Sequence, residues 1–487
     1  MQVFGGVAHH ALGQRGAVRL VGAVLGAALG LGAASGTVRA AVLQQFQGGN
    51  LSQEGQSGFI PPDMGGAVGD GYVLQMLNGL VSTYTTAGAA VGAQTSLNTF
   101  WTNAGVSLGG TNVSDPRVIF DPSSNRWFAS AIATQSTNNS IFVAVSNTAN
   151  PTQGFTGLSF TAASGQFADF PTLGVNGAAV TIGTNNFNGS TGAGSGYSLY
   201  SIPKASLTGG TPTLTGLARF DQTNQVGFTP EAVTNASGTG TTTTVLSNNY
   251  GSNGLYVSTV FGANGAGATL ASSTTINSVA GTLPAAPTQP GGTAYDPGDN
   301  RIGSGPYQVG NSIYFANTVL NGSSDQIQWG VLDATTQTLA HSGFISMAGL
   351  DLSYGSISAN ANGTFVIAFN GSGTGTNISA YDVICSAITG TCGTPSLVYA
   401  GLANNYNITF GGPSNRWGDY SWTTVDPNNA NNFWLFQEYP TSNTAWGTVI
   451  TEIGTALGTS VPEPAGIAVL GLGLIGLGLT RRRTGRA

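Results

Sequence analysis

The hydrophobic residues of this chain come in short runs and not at helical spacing. Runs rich in Val, Ile, Phe, Tyr and Thr are separated by turns that contain Gly, Asn, Asp and Pro. Between the two ends of the chain, no long segment places its apolar residues at the 3.6-residue period of an amphipathic helix. The pattern therefore predicts an all-β body built from short strands.

The strand-like runs recur as seven triplets. The first triplet consists of Gly66–Val68, Tyr72–Leu77 and Val81–Thr85, with a tight turn between the first two runs. The intervals between triplets leave room for a fourth, outer strand, for example Leu158–Thr161. Four strands in each of seven units predict a seven-bladed β-propeller. Six blades, or two β-sandwiches, are the alternatives.

The ends of the repeating region predict how such a ring closes. Val42–Gln47 is strand-like and precedes the first triplet, whereas the seventh triplet lacks a clear outer strand after Ile453. Pairing strands from the two chain ends removes the open edges of a propeller. Val42–Gln47 is therefore predicted to pair with Gly447–Ile453.

The charge of the chain is unevenly distributed. Only 7% of the 487 residues are charged, against roughly 25% in ordinary globular chains. The net charge is −6, but seven of the 13 basic residues lie in the two ends, so the body carries about −12. Nucleic-acid binding needs a basic surface, and this composition excludes it as a function of the body.

The N-terminus has the features of a secretory signal peptide over residues 1–40. Arg15 and Arg19 precede an apolar run, Leu20–Ala34, and Val38 and Ala40 occupy the −3 and −1 positions of a cleavage site. This pattern predicts export through the Sec machinery. An uncleaved membrane anchor is the alternative.

The C-terminus combines three ordered features over residues 461–487. The motif Pro462-Glu463-Pro464 precedes an apolar run, Ala465–Thr480, which would span about 24 Å as a helix, slightly less than a bilayer core. The following Arg481, Arg482 and Arg483 would hold that end of a single transmembrane helix on the cytoplasmic side.

This order of features resembles the PEP-CTERM sorting signal of Gram-negative bacteria. The resemblance implies recognition by an exosortase and transient anchoring in the inner membrane. Removal of the tail and release to the cell surface or an exopolysaccharide matrix would follow. The chain then divides into a signal peptide (1–40), a propeller body (41–460) and a sorting tail (461–487).

The body resembles a family of secreted bacterial propeller-like proteins of largely unassigned function. The matching blocks are Pro61-Pro62-Asp63, Gly66–Gly69, Asp115-Pro116, Arg126-Trp127 and the run Arg416–Ser421. They occur in the same order and span most of the body. The resemblance implies a secreted propeller and identifies no catalytic residue.

Catalytic motifs are scarce. His341 is the only histidine outside the signal peptide, and the sequence contains no nucleophile elbow, P-loop, zinc motif or dinucleotide fingerprint. The Asp-box of sialidase-like propellers is not recognisable. Paired carboxylates can still cleave glycosidic bonds.

Cys385 and Cys392 are the only cysteines, which predicts a disulfide in an exported protein.

Acidic residues recur near the start of the first strand of several triplets, where a propeller would bring them to one mouth of its central channel. They are Asp63, Asp115, Asp169, Glu231 and Asp419, and Arg117 and Arg416 lie beside them. Three interpretations stay open. The oxygens could hold Ca²⁺, the arginines could bind a carboxylate or sugar, or the acids could be structural, capping turns and tying adjacent blades.

Two further groups are interpreted as structural. Asp121-Pro122 and Asp426-Pro427 fall in hairpin turns and are assigned to turn chemistry alone. The tryptophans in or beside strands are assigned to the blade core: Trp127, Trp417, Trp434 and Trp446.

The sequence favours a non-enzymatic surface or matrix protein that binds or supports an exopolysaccharide. The alternative is a glycoside hydrolase or lyase that uses carboxylates at the channel mouth. No organic cofactor is predicted, and Ca²⁺ is the candidate ion. The predicted partners are the export machinery, the exosortase, the membrane before processing, and a polysaccharide.

Overall fold

The computed structural model describes residues 40–53, 59–236, 239–409 and 414–455. The predicted sorting tail and all but the last residue of the predicted signal peptide lie outside these ranges. The α-helices within them are α1 (Leu97–Asn103) and α2 (Lys204–Thr208), and 3₁₀ turns cover Leu51–Gln53 and Pro151–Gln153. In this part of the chain, no helix has both the length and the hydropathy needed to cross a membrane.

The strands of the described residues form seven antiparallel sheets of four or five strands, and each sheet is one blade. The first strand, β1 (Ala41–Asn50), belongs to the last blade. Blades 1 to 3 follow in chain order: β2 (Gly65–Gly69), β3 (Tyr72–Leu77), β4 (Leu80–Thr85) and β5 (Thr95–Ser96); β6 (Val113–Asp121), β7 (Arg126–Ala133), β8 (Ser140–Ser146) and β9 (Phe155–Thr161); β10 (Gln166–Asp169), β11 (Gly174–Val175), β12 (Ala179–Asn188), β13 (Gly194–Pro203) and β14 (Ala218–Thr223).

Blades 4 to 7 repeat this arrangement. Their strands are β15 (Phe228–Ala232), β16 (Thr243–Asn248), β17 (Leu255–Phe261), β18 (Thr269–Leu270) and β19 (Thr274–Ile276); β20 (Tyr307–Val309), β21 (Ser312–Asn321), β22 (Ser324–Asp333) and β23 (Thr338–Ile345); β24 (Asp351–Ala359), β25 (Thr364–Gly373), β26 (Thr376–Ser386), β27 (Thr391–Cys392) and β28 (Ser396–Tyr399); β29 (Trp422–Val425), β30 (Asn432–Ser442) and β31 (Ala445–Gly454).

The burial of each strand follows from its place in the blade. The inner and middle strands are packed between neighbouring blades, so β2 and most of β25 are buried on both faces. The outer strand β23 alternates exposed and half-buried residues, the period of a strand with one face in water. All four tryptophans assigned to the blade core are fully buried, and Trp127, Trp434 and Trp446 lie in strands of the blades. Trp417 lies in the connection before β29 and packs against the rings of Tyr295 and Tyr406.

The ring closes as the sequence predicts. β1 pairs antiparallel with β31, with Val42 opposite Ile453 and Phe46 opposite Ile450. The last blade therefore has the order β1-β31-β30-β29, and its outer strand comes from the start of the body. The seven-bladed prediction is confirmed, and the six-bladed and two-sandwich alternatives are wrong.

The predicted disulfide is also confirmed. Cys385 at the end of β26 faces Cys392 in β27, and the two sulfur atoms are bonded. The bond closes a hairpin with six residues between the cysteines at the edge of blade 6. In the chain-entropy account, so short a loop contributes about 2–3 kcal/mol to stability.

Candidate functional site

The entrance of the inner strands carries a repeated irregularity at one mouth of the channel. Asp63, Asp115, Thr229 and Tyr354 all have a positive φ between 48° and 57°, although none is glycine. At Asp115, Thr229 and Tyr354, the pairing register between the inner strand and its neighbour shifts, which marks a β-bulge. Each bulge changes the direction of the chain just before the strand enters the channel wall, and acidic and aromatic residues concentrate here.

A cleft of about 300 Å³ opens at this mouth, which we call the charged mouth. Asp169 of blade 3 and Asp419, just before β29, line it, as sequence analysis expected of channel-mouth acids. Arg416 lines it as well. Tyr354 of blade 6 and Tyr250, in the turn between β16 and β17, add aromatic rings to the wall.

Arg416 holds two carboxylates of the charged mouth together. Its Nη1 lies 2.9 Å from Oδ2 of Asp296, and its Nη2 lies 3.1 Å from both carboxylate oxygens of Asp419. The three side chains are each about 30% exposed, so the network is in contact with solvent. The Asp419 carboxylate is the main cause of the raised pKa of Arg416.

Arg301 forms a second ion pair in the same wall. Its guanidinium contacts Asp299 through two hydrogen bonds, of 2.7 Å and 2.6 Å. Its central carbon lies 4.0 Å from the ring centroid of Phe170, a cation–π distance. Both arginines of the cleft are therefore paired with carboxylates of this chain.

Asp63 and Asp115 are not among the residues that line the cleft, and the carboxylate of Asp115 has structural partners. The Oδ2 atom of Asp115 accepts a hydrogen bond of 3.1 Å from the backbone N–H of Phe170, which ties blade 2 to blade 3. Ser114 donates to its other oxygen. Burial raises the pKa of Asp115, and it raises the pKa of Asp63 well above its usual range, with repulsion from Asp419 adding to the effect.

Asp169 lines the cleft and has a raised pKa. Burial, followed by repulsion from Asp115, raises its pKa to about 7, and the positive charge of Arg301 partly offsets the rise. A carboxyl in this range is protonated in a large fraction of molecules near neutral pH. Asp169 can therefore donate a hydrogen bond or a proton where an ordinary aspartate cannot.

Arg117 is buried below the charged mouth. It is 1% exposed, and its guanidinium carbon lies 3.3 Å from the ring centroid of Tyr420. Its Nη1 donates to the Gly303 carbonyl at 2.8 Å, and its Nε donates to the Pro171 carbonyl at 3.3 Å. The Tyr420 ring and two backbone carbonyls therefore hold the guanidinium in place.

Glu231 is the fourth residue of the inner strand β15 and is buried, at 1% exposed. Neither of its carboxyl oxygens has a hydrogen-bond partner among the described residues. Burial raises its pKa to about 8, while the charges of Arg117 and Arg301 act in the opposite direction. Its environment therefore favours the neutral acid up to neutral pH.

The structure brings together four of the five predicted acids. The negative charge of Asp419 contributes to the raised pKa of Asp63, Asp115 and Asp169. The charges that act on the pKa of Glu231 are instead those of Arg117 and Arg301. Within the described ranges, no group of three or more His, Cys, Asp or Glu side chains has a geometry that could hold a metal ion.

Sequence analysis missed the segment 277–306, which connects β19 to β20. It supplies Asp296, Asp299 and Arg301 to the cleft. The segment is fixed to the connection that precedes β29, because Asp296 N–H donates to the Asn415 carbonyl at 2.8 Å. A signal was present: three charges within six residues are conspicuous in a chain with 7% charged residues.

One assignment is corrected at the opposite end of the blades. Asp121 does cap its turn, accepting hydrogen bonds from Ser123 and Ser124. It also forms a buried ion pair of 2.9 Å with Lys204, the only lysine of the chain. Likewise, Asp426 accepts a hydrogen bond of 3.1 Å from the Trp434 indole. Turn chemistry alone is therefore wrong for Asp121, which also links its hairpin to α2, whereas the hydrogen bond of Asp426 stays within its own hairpin.

Comparison with known proteins gives structural similarity only. No family model and no curated protein sequence matches the chain. An ACO/RPE65 chimera is 13% identical over 69% of this chain and 71% of its own, with a TM-score of 0.39. The α-L-arabinofuranosidase Arb93A of Fusarium graminearum is 8% identical, with coverages of 80% and 93% and a TM-score of 0.36.

A third similar structure is the exo-β-1,3-galactanase 1,3Gal43A of Clostridium thermocellum. It is 12% identical, covers 86% of this chain and 98% of its own, and has a TM-score of 0.31. All three TM-scores are below 0.5, so no conclusion about this chain's function rests on them.

Proposed function

We propose that this chain is an exported surface or matrix protein whose propeller binds a saccharide in the cleft of the charged mouth without transforming it. The observation that carries the proposal is the network of Arg416 with Asp296 and Asp419. It fixes donors and acceptors in a solvent-accessible cleft. Such groups match the alternating donor and acceptor character of sugar hydroxyls.

The charge state of the cleft narrows the ligand class. Arg301 and Arg416 are both paired with carboxylates, so neither offers an unneutralised cation for an acidic ligand. The polar cleft offers few apolar surfaces, and its volume of about 300 Å³ lies at the lower end of small-ligand sites. A neutral polyhydroxylated ligand fits this combination best.

Tyr250 supplies the aromatic surface that saccharide sites use. Its side chain is 54% exposed at the rim of the cleft, and its ring packs edge-on against Phe228 at 4.8 Å between centroids. The packing fixes the ring orientation at little entropic cost. The free face of the ring can then contact the apolar C–H face of a sugar.

A glycan array probed with the purified exported protein tests the proposal. Tyr250→Ala should lower binding at least about tenfold, a loss of roughly 1.4 kcal/mol. Phe261→Ala is the matched control: Phe261 is 50% exposed and lies at the other end of β17. No glycan bound by the wild type, or equal losses in both variants, would refute saccharide binding at this site.

The cellular location is proposed on the two terminal signals. Replacement of Pro462, Glu463 and Pro464 with alanine should leave the protein in the inner membrane with its tail intact. Fractionation followed by immunoblotting against the body measures this. Equal release of wild type and variant would contradict sorting by the tail. Arg126→Met, which leaves the tail unchanged and removes only an exposed hydrogen bond to the adjacent carbonyl, is the control for the general effect of substitution on export.

Catalysis is the second candidate, and one observation favours it. Asp169, with its pKa raised to about 7, lines the same cleft as the ion-paired Asp419. Two carboxyls in different environments are the arrangement that glycosidic cleavage uses. Incubation of bound glycans with the wild type and Asp169→Asn decides between the two. Bond cleavage that the variant loses would replace the binding role with an enzymatic one.

A further inference from the structure

We infer that a groove across blades 3 and 4 continues the cleft of the charged mouth and binds successive neutral sugar units of a linear polysaccharide. The inference rests on the proposed function and specifies its ligand as an extended neutral chain. The groove encloses about 420 Å³ between β13, β14 and the turn after β16. Tyr250 lines both the groove and the cleft, so the two spaces share one wall.

The chemistry of the groove differs from that of the cleft. Every residue that lines it, as far as the structure describes the chain, is uncharged. Side-chain amides come from Gln222, Asn224 and Asn249, and rings come from Tyr197 and Tyr256. Amides offer both donors and acceptors without selecting for charge. The lining therefore suits neutral sugars and provides no counter-charge for uronates or phosphates.

The aromatic rings of the groove are held in fixed positions. Phe228 contacts Tyr250 at 4.8 Å and Tyr197 at 6.3 Å between ring centroids, both edge to face. The Tyr256 ring lies directly on Gly227, where an added Cβ would come within 2.3 Å of it. Tyr250, Phe228 and Tyr197 thus form a line of packed rings from the rim of the cleft into the groove, and Tyr256 adds a ring that packs on the backbone.

Asn248 connects the wall of the groove to the wall of the cleft. It lines the groove and is 1% exposed, and its Oδ1 accepts a hydrogen bond of 3.0 Å from the backbone N–H of Ile302. Arg301, the residue before Ile302, lines the cleft. This hydrogen bond therefore fixes the two walls to each other.

Arg301 joins the two spaces physically. Its guanidinium carbon lies 4.0 Å from the ring centroid of Phe170, in the cleft, and 5.1 Å from that of Phe228, in the groove. The pairing of Arg301 with Asp299 holds the guanidinium between these rings. A glycan chain leaving the cleft would therefore pass Arg301 and Tyr250 and reach the tyrosines of the groove.

The test is the dependence of affinity on chain length. Isothermal titration of the exported protein would use neutral linear oligosaccharides of one to six units from the gluco, manno, galacto and xylo series. In the series that binds, affinity should rise about tenfold from two to four units. Tyr256→Ala should reduce that rise to less than about threefold and leave the affinity for the disaccharide unchanged. Phe261→Ala should retain the full rise.

The outcomes separate this inference from the proposed function. The wild type could bind saccharide, and Tyr250→Ala could abolish this binding, without any rise in wild-type affinity with chain length. That result refutes binding in the groove and leaves the cleft as the site. The absence of binding to every member of the panel overturns both. The length series on the wild type needs no variant to fold, and matching melting temperatures verify the folding of Tyr256→Ala.

Discussion

The two ends of the central channel are built by the same seven strands but differ in chemistry. The charged mouth, where the inner strands begin, holds a cleft of about 300 Å³ with ion pairs in its wall. The opposite end, which we call the apolar mouth, holds a cavity of only about 60 Å³. Ala67, Val68, Ile119 and Trp422 are among its lining residues, and no charged residue lines it within the described ranges.

The difference arises from the connections at the two ends of the strands. At the apolar mouth, inner strands turn directly into hairpins, so the apolar side chains of the strands themselves fill the space. At the charged mouth, longer connections between blades cross the channel, including the segment 277–306 with its three charges. Repetition of the blade thus builds the closed end, and the irregular connections build the site.

Arg117 lies between the two ends, and its substitution should have the largest effect on the free energy of unfolding. Arg117→Met should lower the free energy of unfolding at pH 8 by about 3–5 kcal/mol, because it leaves buried acids without a compensating charge. The loss should be smaller at pH 5, where Glu231 is protonated. Urea denaturation measures both. Arg126→Met is the control, since among the described residues Arg126 donates only to the adjacent Asn125 carbonyl. Equal losses in the two variants would contradict a central role for Arg117.

Glu231 should make the folded protein less stable as the pH rises. The pKa of Glu231 is raised to about 8, so the unfolded chain releases this proton at lower pH than the folded one. This contribution to stability is fully present below about pH 4.5. It is lost as the pH rises toward 8, at a cost on the order of 3 kcal/mol between pH 5 and pH 8.

Glu231→Gln should remove that part of the pH dependence in denaturant titrations. The comparison of the variant with the wild type at pH 5 is the control, because the neutral acid and the amide have nearly the same shape. The two proteins should then be equally stable within about 1 kcal/mol. If the stability of the variant and of the wild type changes equally between pH 5 and pH 8, Glu231 is not the group responsible.

The ion pair of Lys204 with Asp121, near the apolar mouth, should contribute less to the free energy of unfolding than Arg117. Lys204→Met removes the buried partner of Asp121 and should cost about 2 kcal/mol at pH 7, measured by urea denaturation. The cost is limited because Asp121 keeps its hydrogen bonds from Ser123 and Ser124. Arg219→Met, which breaks the exposed pair with Asp221, should cost less than about 1 kcal/mol. A loss for Lys204→Met larger than that for Arg117→Met would reverse the comparison.

Calcium should have the smallest effect. We expect no resolvable change in melting temperature with millimolar Ca²⁺, because Arg416 already pairs with Asp419 and the pKa values of Asp63 and Asp115 are raised. A site saturated at 100 times its dissociation constant would add about 2.7 kcal/mol, which such a scan detects. A rise with Ca²⁺ that EDTA reverses and Mg²⁺ does not reproduce would establish a cation site at the charged mouth.

The blades could be predicted from the sequence because the signals for their turns and strands lie in neighbouring residues. A turn such as Asp70-Gly71, with both residues at positive φ, sets a hairpin by its own conformational preferences. Alternation of exposed and buried residues then fixes the register and outer face of strands such as β23. Ring closure was also predictable, since an unpaired strand-like run at Val42–Gln47 matched a missing strand in the last blade.

The cleft depended on tertiary structure, because its residues are distant in sequence. Arg416 and Asp296 are 120 residues apart, and no local pattern pairs them. Nor does sequence reveal that Asp169 and Glu231 have pKa values near 7 and 8, since burial is the main cause of both shifts. Short-range preferences fix turns and strands, whereas burial and the meeting of charges exist only once the seven blades have closed.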